Sequence, residues 1–257
     1  MIKMSKMIRL IFALVVLTTT QIAAQSTRLN TDAKGIIYNK EKAFDARIHT
    51  HGWAANFLMG DINSYYKTTF FRFGLGELKH YKEVRKSSEP SNLPSQSFRQ
   101  YTYGKQNFAF VLRGGYGVKR YFTEKAAKNG VALAISYSGG ITTALMLPYY
   151  IEVGGPRDAK TTSIKYTEQT KVDFLDPFRV KGKSGILKGI TETQVIPGIH
   201  GQVGVHLDWG AFDEFLRAVE AGIMIDIFPK KLPIMVSQEN RPYFFNLYVS
   251  LQLGKRN

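Results

Sequence analysis

The sequence predicts an all-β chain: an eight-stranded antiparallel transmembrane β-barrel with long external loops, preceded by a signal peptide. Three observations carry this. First, Tyr243 to Leu253 alternates over eleven residues: Tyr243, Phe245, Leu247, Val249, Leu251 and Leu253 oppose Phe244, Asn246, Tyr248, Ser250 and Gln252. Side chains alternate across a strand, so one face is apolar throughout and the other mostly polar, over the length a tilted bilayer-crossing strand needs. Second, the N-terminus carries a leader pattern. Third, no later window is apolar enough to cross a bilayer as a helix. Val131 to Leu147 is the richest, and it holds serines, threonines and glycines. A membrane protein without such helices must close its backbone hydrogen bonds in a barrel.

The leader consists of Lys3, Lys6 and Arg9, an apolar core from Leu10 to Leu17, and a small-residue stretch ending Ile-Ala-Ala before Gln25. That order reads as a cleavable signal peptide over 1–24, because the core is too short to span. The barrel is then assigned to 25–257. The chain has no cysteine, which excludes disulfides and lipid attachment through a cysteine. Its formal charge is +15, or +12 without Lys3, Lys6 and Arg9. For an exported chain the expected anionic partners are outer-membrane lipids, including lipopolysaccharide, and not nucleic acid.

The strands follow in order. The first is placed at Lys34 to Lys40, because termini on one side of the membrane require an even strand count. Ala46 to Met59 reads as one strand with a phase change near Gly52 taken as a bulge. Thr69–Leu75, Phe108–Val118, Ile199–Trp209, Val219–Ile227 and Tyr243–Leu253 alternate cleanly. Val131 to Val153 keeps its phase through Gly139-Gly140, which argues for one long strand over a hairpin. Asp61–Tyr65, Tyr121–Gly130 and Gly210–Phe215 then fall as short periplasmic turns, with both termini periplasmic. Lys79–Gln106, Gly154–Gly198 and Pro229–Arg241 fall as external loops. The segment Ser87–Ser95 reads as structureless from its Ser, Pro and Asn content.

A soluble barrel also alternates, so the character of the less apolar face must choose. In the long strand it is Ala132, Ala134, Ser136, Ser138, Gly140, Thr142, Ala144 and Met146, without a charge. This suits a cramped lumen better than a water-facing surface. The opposite face is aliphatic, with Tyr137, Tyr149, Tyr243 and Trp209 read as aromatic girdle residues. With its leader, dyad strands and the ending Asn246-Leu247-Tyr248-Val249-Ser250-Leu251-Gln252-Leu253-Gly254-Lys255-Arg256, the chain resembles the small outer-membrane β-barrel proteins of Bacteroidota-type Gram-negative bacteria. The resemblance implies fold and location much more than activity.

Few residues suggest chemistry. His49 and His51, two apart, have a metal-ligand spacing without a third ligand in view. His206 and Asp208 share the inward face and could act as a base and its orienter, with Glu220 and Asp226 on the next strand. The alternative is a charge-balanced lumen network of Arg47, Arg72, Arg113, His200, His206, Asp208, Glu220 and Asp226, in which pairing avoids buried unpaired charge. Arg113-Gly114-Gly115-Tyr116-Gly117 lies within a strand with no helix following, so it is not a phosphate loop, and no cofactor is expected. The expected role is non-enzymatic: a structural or interaction protein, with possible protein partners in an outer-membrane assembly. A barrel enzyme acting on lipid A or peptides, and a small-solute pore, are the alternatives.

Overall fold

The structure is a computed structural model, and residues 38–87, 100–123, 130–154, 161–210, 214–236 and 238–257 are described. The assigned leader (1–24) and most of the segment first expected as strand one (34–37) lie outside these residues, as does most of the Ser87–Ser95 stretch. Among the described residues the strands are β1 (Lys40–His49), β2 (Gly52–Ser64), β3 (Lys67–Leu78), β4 (Arg85–Ser87), β5 (Gln100–Thr102), β6 (Asn107–Tyr121) and β7 (Ala132–Pro148). They continue with β8 (Tyr150–Val153), β9 (Thr162–Lys165), β10 (Val180–Lys183), β11 (Gln194–Asp208), β12 (Phe215–Ile227) and β13 (Tyr243–Arg256). Eight of them close an antiparallel barrel in the order β1-β13-β12-β11-β7-β6-β3-β2. Its strands are 10 to 17 residues long, enough for a tilted crossing of a bilayer.

The closing seam joins β1 to β13, from Glu41 opposite Arg256 to His49 opposite Tyr248. This corrects the first barrel strand, which among the described residues runs from Lys40 to His49. Ala46–Met59 is correspondingly not one bulged strand. It is the end of β1 and the start of β2, joined by Thr50 and His51, with His49 opposite Gly52. Gly52 adopts φ +146°, and a Cβ there would lie 2.2 Å from the Glu77 carbonyl oxygen. Only glycine fits that corner.

The long strand is also shorter than expected. It leaves the barrel at Pro148, and β8 joins a separate three-stranded sheet of order β10-β8-β9. Tyr149 turns into the core of that cap and is buried, so it is not part of an aromatic girdle. Tyr101, Ile151, Val153, Val180 and Phe174, on the short helix Lys171–Leu175, complete this core. The loop expected over 154–198 is therefore folded in its described parts, and β11 begins at Gln194.

The barrel has two unlike ends. At one lie the strand ends Ser64, Lys67, Tyr121, Ala132, Asp208 and Phe215 together with Lys40 and Arg256; at the other lie the hairpin at Thr50–His51 and the strand ends Leu78, Asn107, Pro148, Gln194, Ile227 and Tyr243. Near the terminal end Ala43, Leu58, Phe70, Leu216 and Ala218 pack together inside. Near the loop end a larger apolar cluster holds Leu78, Val111, Met146, Ile196 and Phe244 from the wall. Leu232, Ile234 and Met235, from the β12–β13 connection, fold in against them. The Gln106 amide donates to the Ile234 carbonyl at 2.8 Å, and Asn107 Nδ2 donates to the Pro233 carbonyl at 2.6 Å, so this connection is laced across the mouth.

Candidate functional site

The interior between the two apolar clusters is ionic. Alternation in β1 sends Glu41, Asp45 and Arg47 inward, and the same geometry in β3, β6, β11, β12 and β13 adds the rest. Five carboxylates (Glu41, Asp45, Asp208, Glu220, Asp226) meet five cations (Arg47, Arg72, Arg113, Lys119, Arg256). Equal numbers matter here, because an unpaired charge in such a space is expensive.

The contacts form three groups. Arg113 and Asp226 make a two-point pair, Nε to Oδ1 at 2.8 Å and Nη2 to Oδ2 at 2.9 Å. In the middle group Arg47 donates to Gln202 Oε1 at 2.6 Å and to Asp45 Oδ2 at 3.1 Å, and its guanidinium lies 4.0 Å from the centre of the Tyr248 ring. Tyr248 donates to Glu220 Oε1 at 2.7 Å, and Arg72 donates to the same oxygen at 3.4 Å. Gln252 Nε2 bridges Asp45 and Glu220 at 3.2 and 3.1 Å. In the third group, toward the terminal end, Lys119 reaches Glu41 at 2.7 Å. Arg256 joins Glu41 at 3.0 Å to Asp208 at 2.9 Å.

Glycines make room for this network. A Cβ on Gly204 would lie 2.6 Å from the Tyr248 hydroxyl, and one on Gly74 would overlap the Asn56 side chain. Asn56 in turn donates to Asp45 Oδ1 at 3.1 Å.

All eight residues expected in the lumen are inward and buried. Their partnerships differ from the expected ones. His206 and Asp208 do not form a base and orienter: Asp208 accepts from Arg256 and from the Gly210 amide, whereas His206 Nδ1 lies 3.5 Å from Glu220. The reason is register, since His206 sits directly opposite Glu220 and Asp208 opposite Ala218. His200 contacts the Ile141 carbonyl at 3.1 Å and joins no ion pair among the described residues. His49 points inward and His51 sits in the hairpin, yet both Nδ1 atoms approach Asn246 Oδ1, at 3.2 and 2.7 Å. They share an amide oxygen, and no group of three metal-capable side chains occurs among the described residues. Glu41, Asp45, Lys119, Tyr248 and Arg256 were missed. Lys119 and Tyr248 already stood on polar faces in the alternation, whereas Glu41 and Asp45 were hidden by the misplaced first strand.

The outward face is apolar. Phe44, Phe57, Phe71, Phe73, Tyr116, Ile141, Ile199, Ile225 and Leu247 are all exposed. A continuous exposed apolar band of this kind is far larger than a soluble monomer tolerates.

Outside the barrel wall, the cap holds charge at its surface. Lys165 donates to Glu192 at 2.6 Å, which raises the lysine's pKa and lowers that of the carboxyl. His80, after β3, contacts the Glu239 carbonyl through Nε2, and burial lowers its pKa.

No protein-family model and no curated protein matches the chain. Among solved structures it is similar to Neisserial surface protein A, at 8% identity and a TM-score of 0.40, over 86% of this chain and 97% of that one. It is also similar to the N-terminal β-barrel domain of Pseudomonas aeruginosa OprF, at 6% identity and a TM-score of 0.36, over 84% and 97%. The translocator domain of the autotransporter NalP from Neisseria meningitidis matches at 11% identity and a TM-score of 0.27, over 95% and 96%. The barrel itself is read from this chain's own strand pairing.

Proposed function

We propose that the chain is an integral outer-membrane β-barrel with a sealed lumen and a folded external cap, whose role is structural or interactive and not enzymatic. The observation that carries this reading is the inversion of the barrel: aromatic and aliphatic side chains face out, while the paired charges face in. In water this arrangement would expose the apolar band and bury the ions for no gain. In a bilayer both faces are satisfied.

Orientation follows from loop length. Short turns and both strand termini lie at one end, which is read as periplasmic, and the capped end is read as external. Over the three long connections (79–106, 149–193 and 228–242) the sequence has 17 Lys and Arg against 9 Asp and Glu. That excess suits the phosphates of lipopolysaccharide, and the cap is a surface for protein partners. The bidentate pair, the middle group and the apolar clusters on either side of them count against a pore reading. Asp208 is held by Arg256 and not by His206, which counts against the His206–Asp208 pair as a base and its orienter.

Cell fractionation with heat-modifiable gel migration tests location and fold together. The folded form should migrate faster than the boiled form and sediment with the outer membrane. A soluble species, with one migration rate, would refute the reading. Unaltered lipid A on substitution of His206 and Asp208 is expected, and discrete conductance steps in planar bilayers would restore the pore.

A further inference from the structure

One cluster of like charge faces outward among the described residues. At the terminal end of the wall, Lys42 on β1 lies directly opposite Lys255 on β13, and Lys67 on β3 lies directly opposite Arg120 on β6. All four side chains are exposed. Directly opposed side chains on neighbouring strands lie about 5 Å apart at Cβ, and like charges there repel. Arg217 on β12, also exposed, is diagonal to Lys255 and adds a third cation to the first pair.

Protein carboxylates offset this only in part. Glu214 lies 3.2 Å from Lys255, and Asp61, opposite Lys40, is also diagonal to Lys42 and Lys67, so two carboxylates stand among six outward cations (Lys40, Lys42, Lys67, Arg120, Arg217 and Lys255). Among the described residues Lys42, Lys67, Arg120 and Arg217 join no ion pair. Two residues further along their strands, or four from Lys67, the outward face becomes the apolar band at Phe44, Leu253 and Phe71. The other rim of the wall is different. Its outward charge is Glu77, already engaged by Lys79 at 3.2 Å and by Trp53 at 3.1 Å.

We propose that this cationic rim is a docking surface for the phosphates of anionic phospholipids in the leaflet next to the short-turn end. The proposal rests on the membrane reading above. A phosphodiester between Lys42 and Lys255, or between Lys67 and Arg120, turns two repulsive cross-strand pairs into two cation–anion–cation bridges. The apolar band immediately beyond receives the acyl chains of the same lipid, which a free phosphate ion cannot exploit. The rim thereby fixes the depth of the barrel from its periplasmic side.

The test uses the full chain refolded in mixed micelles of phosphatidylglycerol and phosphatidylcholine, with retained lipids counted by native mass spectrometry. Wild type should retain phosphatidylglycerol about tenfold over phosphatidylcholine, given the attraction of each cation to an anionic surface. Replacing Lys42, Lys67, Arg120, Arg217 and Lys255 with Gln should bring the ratio close to parity. Replacing five cations at the loop end (Lys171, Lys181, Lys183, Lys230 and Lys231) with Gln removes the same charge and should leave the preference in place. Equal losses in the two variants would overturn the proposal, as would a wild type without preference. If wild type refolds in phosphatidylcholine alone but shows no preference, only the rim proposal fails. If it enters no lipid phase at all, the membrane reading fails with it.

Discussion

Arg113 on β6 reaches across the lumen to Asp226 on β12, and the two side chains meet through two parallel hydrogen bonds of 2.8 and 2.9 Å. Strands β11 and β7 separate them along the wall, so this contact braces the barrel where no backbone ladder can. Removing one partner leaves the other buried and charged. Arg113→Met should lower stability by about 3–5 kcal/mol, whereas Arg113→Met with Asp226→Leu should recover most of the loss. Urea unfolding of the refolded barrel, followed by gel mobility, measures both. Equal destabilisation in the single and double variants would count against a pairwise brace.

The Tyr248 hydroxyl depends on an absent side chain. Gly204→Ala would place a methyl 2.6 Å from that oxygen and push it from Glu220, at a cost of about 1–3 kcal/mol. Tyr248→Phe should cost a similar amount by withdrawing a donor from a buried carboxylate. Because both changes break one contact, the double variant should be less destabilised than the two losses added together. Full additivity would separate the two sites.

Asn240 organises the connection that folds over the mouth. Its Oδ1 accepts from the Ile234 and Met235 amides, both at 3.1 Å, and its Nδ2 donates to the Met235 carbonyl at 2.8 Å. Asn240→Ala should speed hydrogen exchange and proteolysis over 228–242 while leaving the barrel's heat-modifiable migration unchanged. Loss of barrel folding would show that the connection is needed for closure and not only for covering the mouth.

His80 gives the cap a pH dependence. Burial holds its pKa below the usual 6.5, with Lys82 and His51 adding to that and Glu83 and the Glu239 carbonyl opposing it. A histidine whose pKa falls on folding binds fewer protons in the folded state than in the unfolded one. Its contribution is therefore fully present above pH 6.5 and declines as pH falls below that value. Hydrogen-exchange protection at 79–87 and 238–241, corrected for the intrinsic pH dependence of exchange, should fall between pH 7.5 and 5, and His80→Gln should remove the difference. An unchanged profile in the variant would assign the pH effect elsewhere.

The wall was legible in the sequence wherever one face is uniformly apolar, as in β12 and β13. It was obscured in β1, whose outward face mixes Lys40 and Lys42 with Phe44, Ala46 and Ile48. The hairpin at Thr50–His51 left a readable signal, because a two-residue turn puts His49 and Gly52 on the same face and so flips the phase. A bulge shifts the phase by the same single residue, and the sequence alone does not separate the two. At Tyr149 alternation continues unbroken while the chain changes sheets, so periodicity carries no trace of the exit. The cap core joins Tyr101, Phe174 and Val180 from distant segments, and no local pattern announces such a cluster. The inward charges could be read as a set, but their partners depend on register: His206 faces Glu220 because β11 and β12 pair as they do.

The cysteine-free chain allows a direct test of the barrel's inversion. Single cysteines placed one at a time from 243 to 253, spin-labelled in bilayers, report contact with lipid-dissolved oxygen at each position. A period of two is expected: high oxygen contact at Tyr243, Phe245, Leu247, Val249, Leu251 and Leu253, and protection at the five positions between. Odd positions that respond instead to a water-soluble relaxation agent, or a profile without alternation, would contradict it.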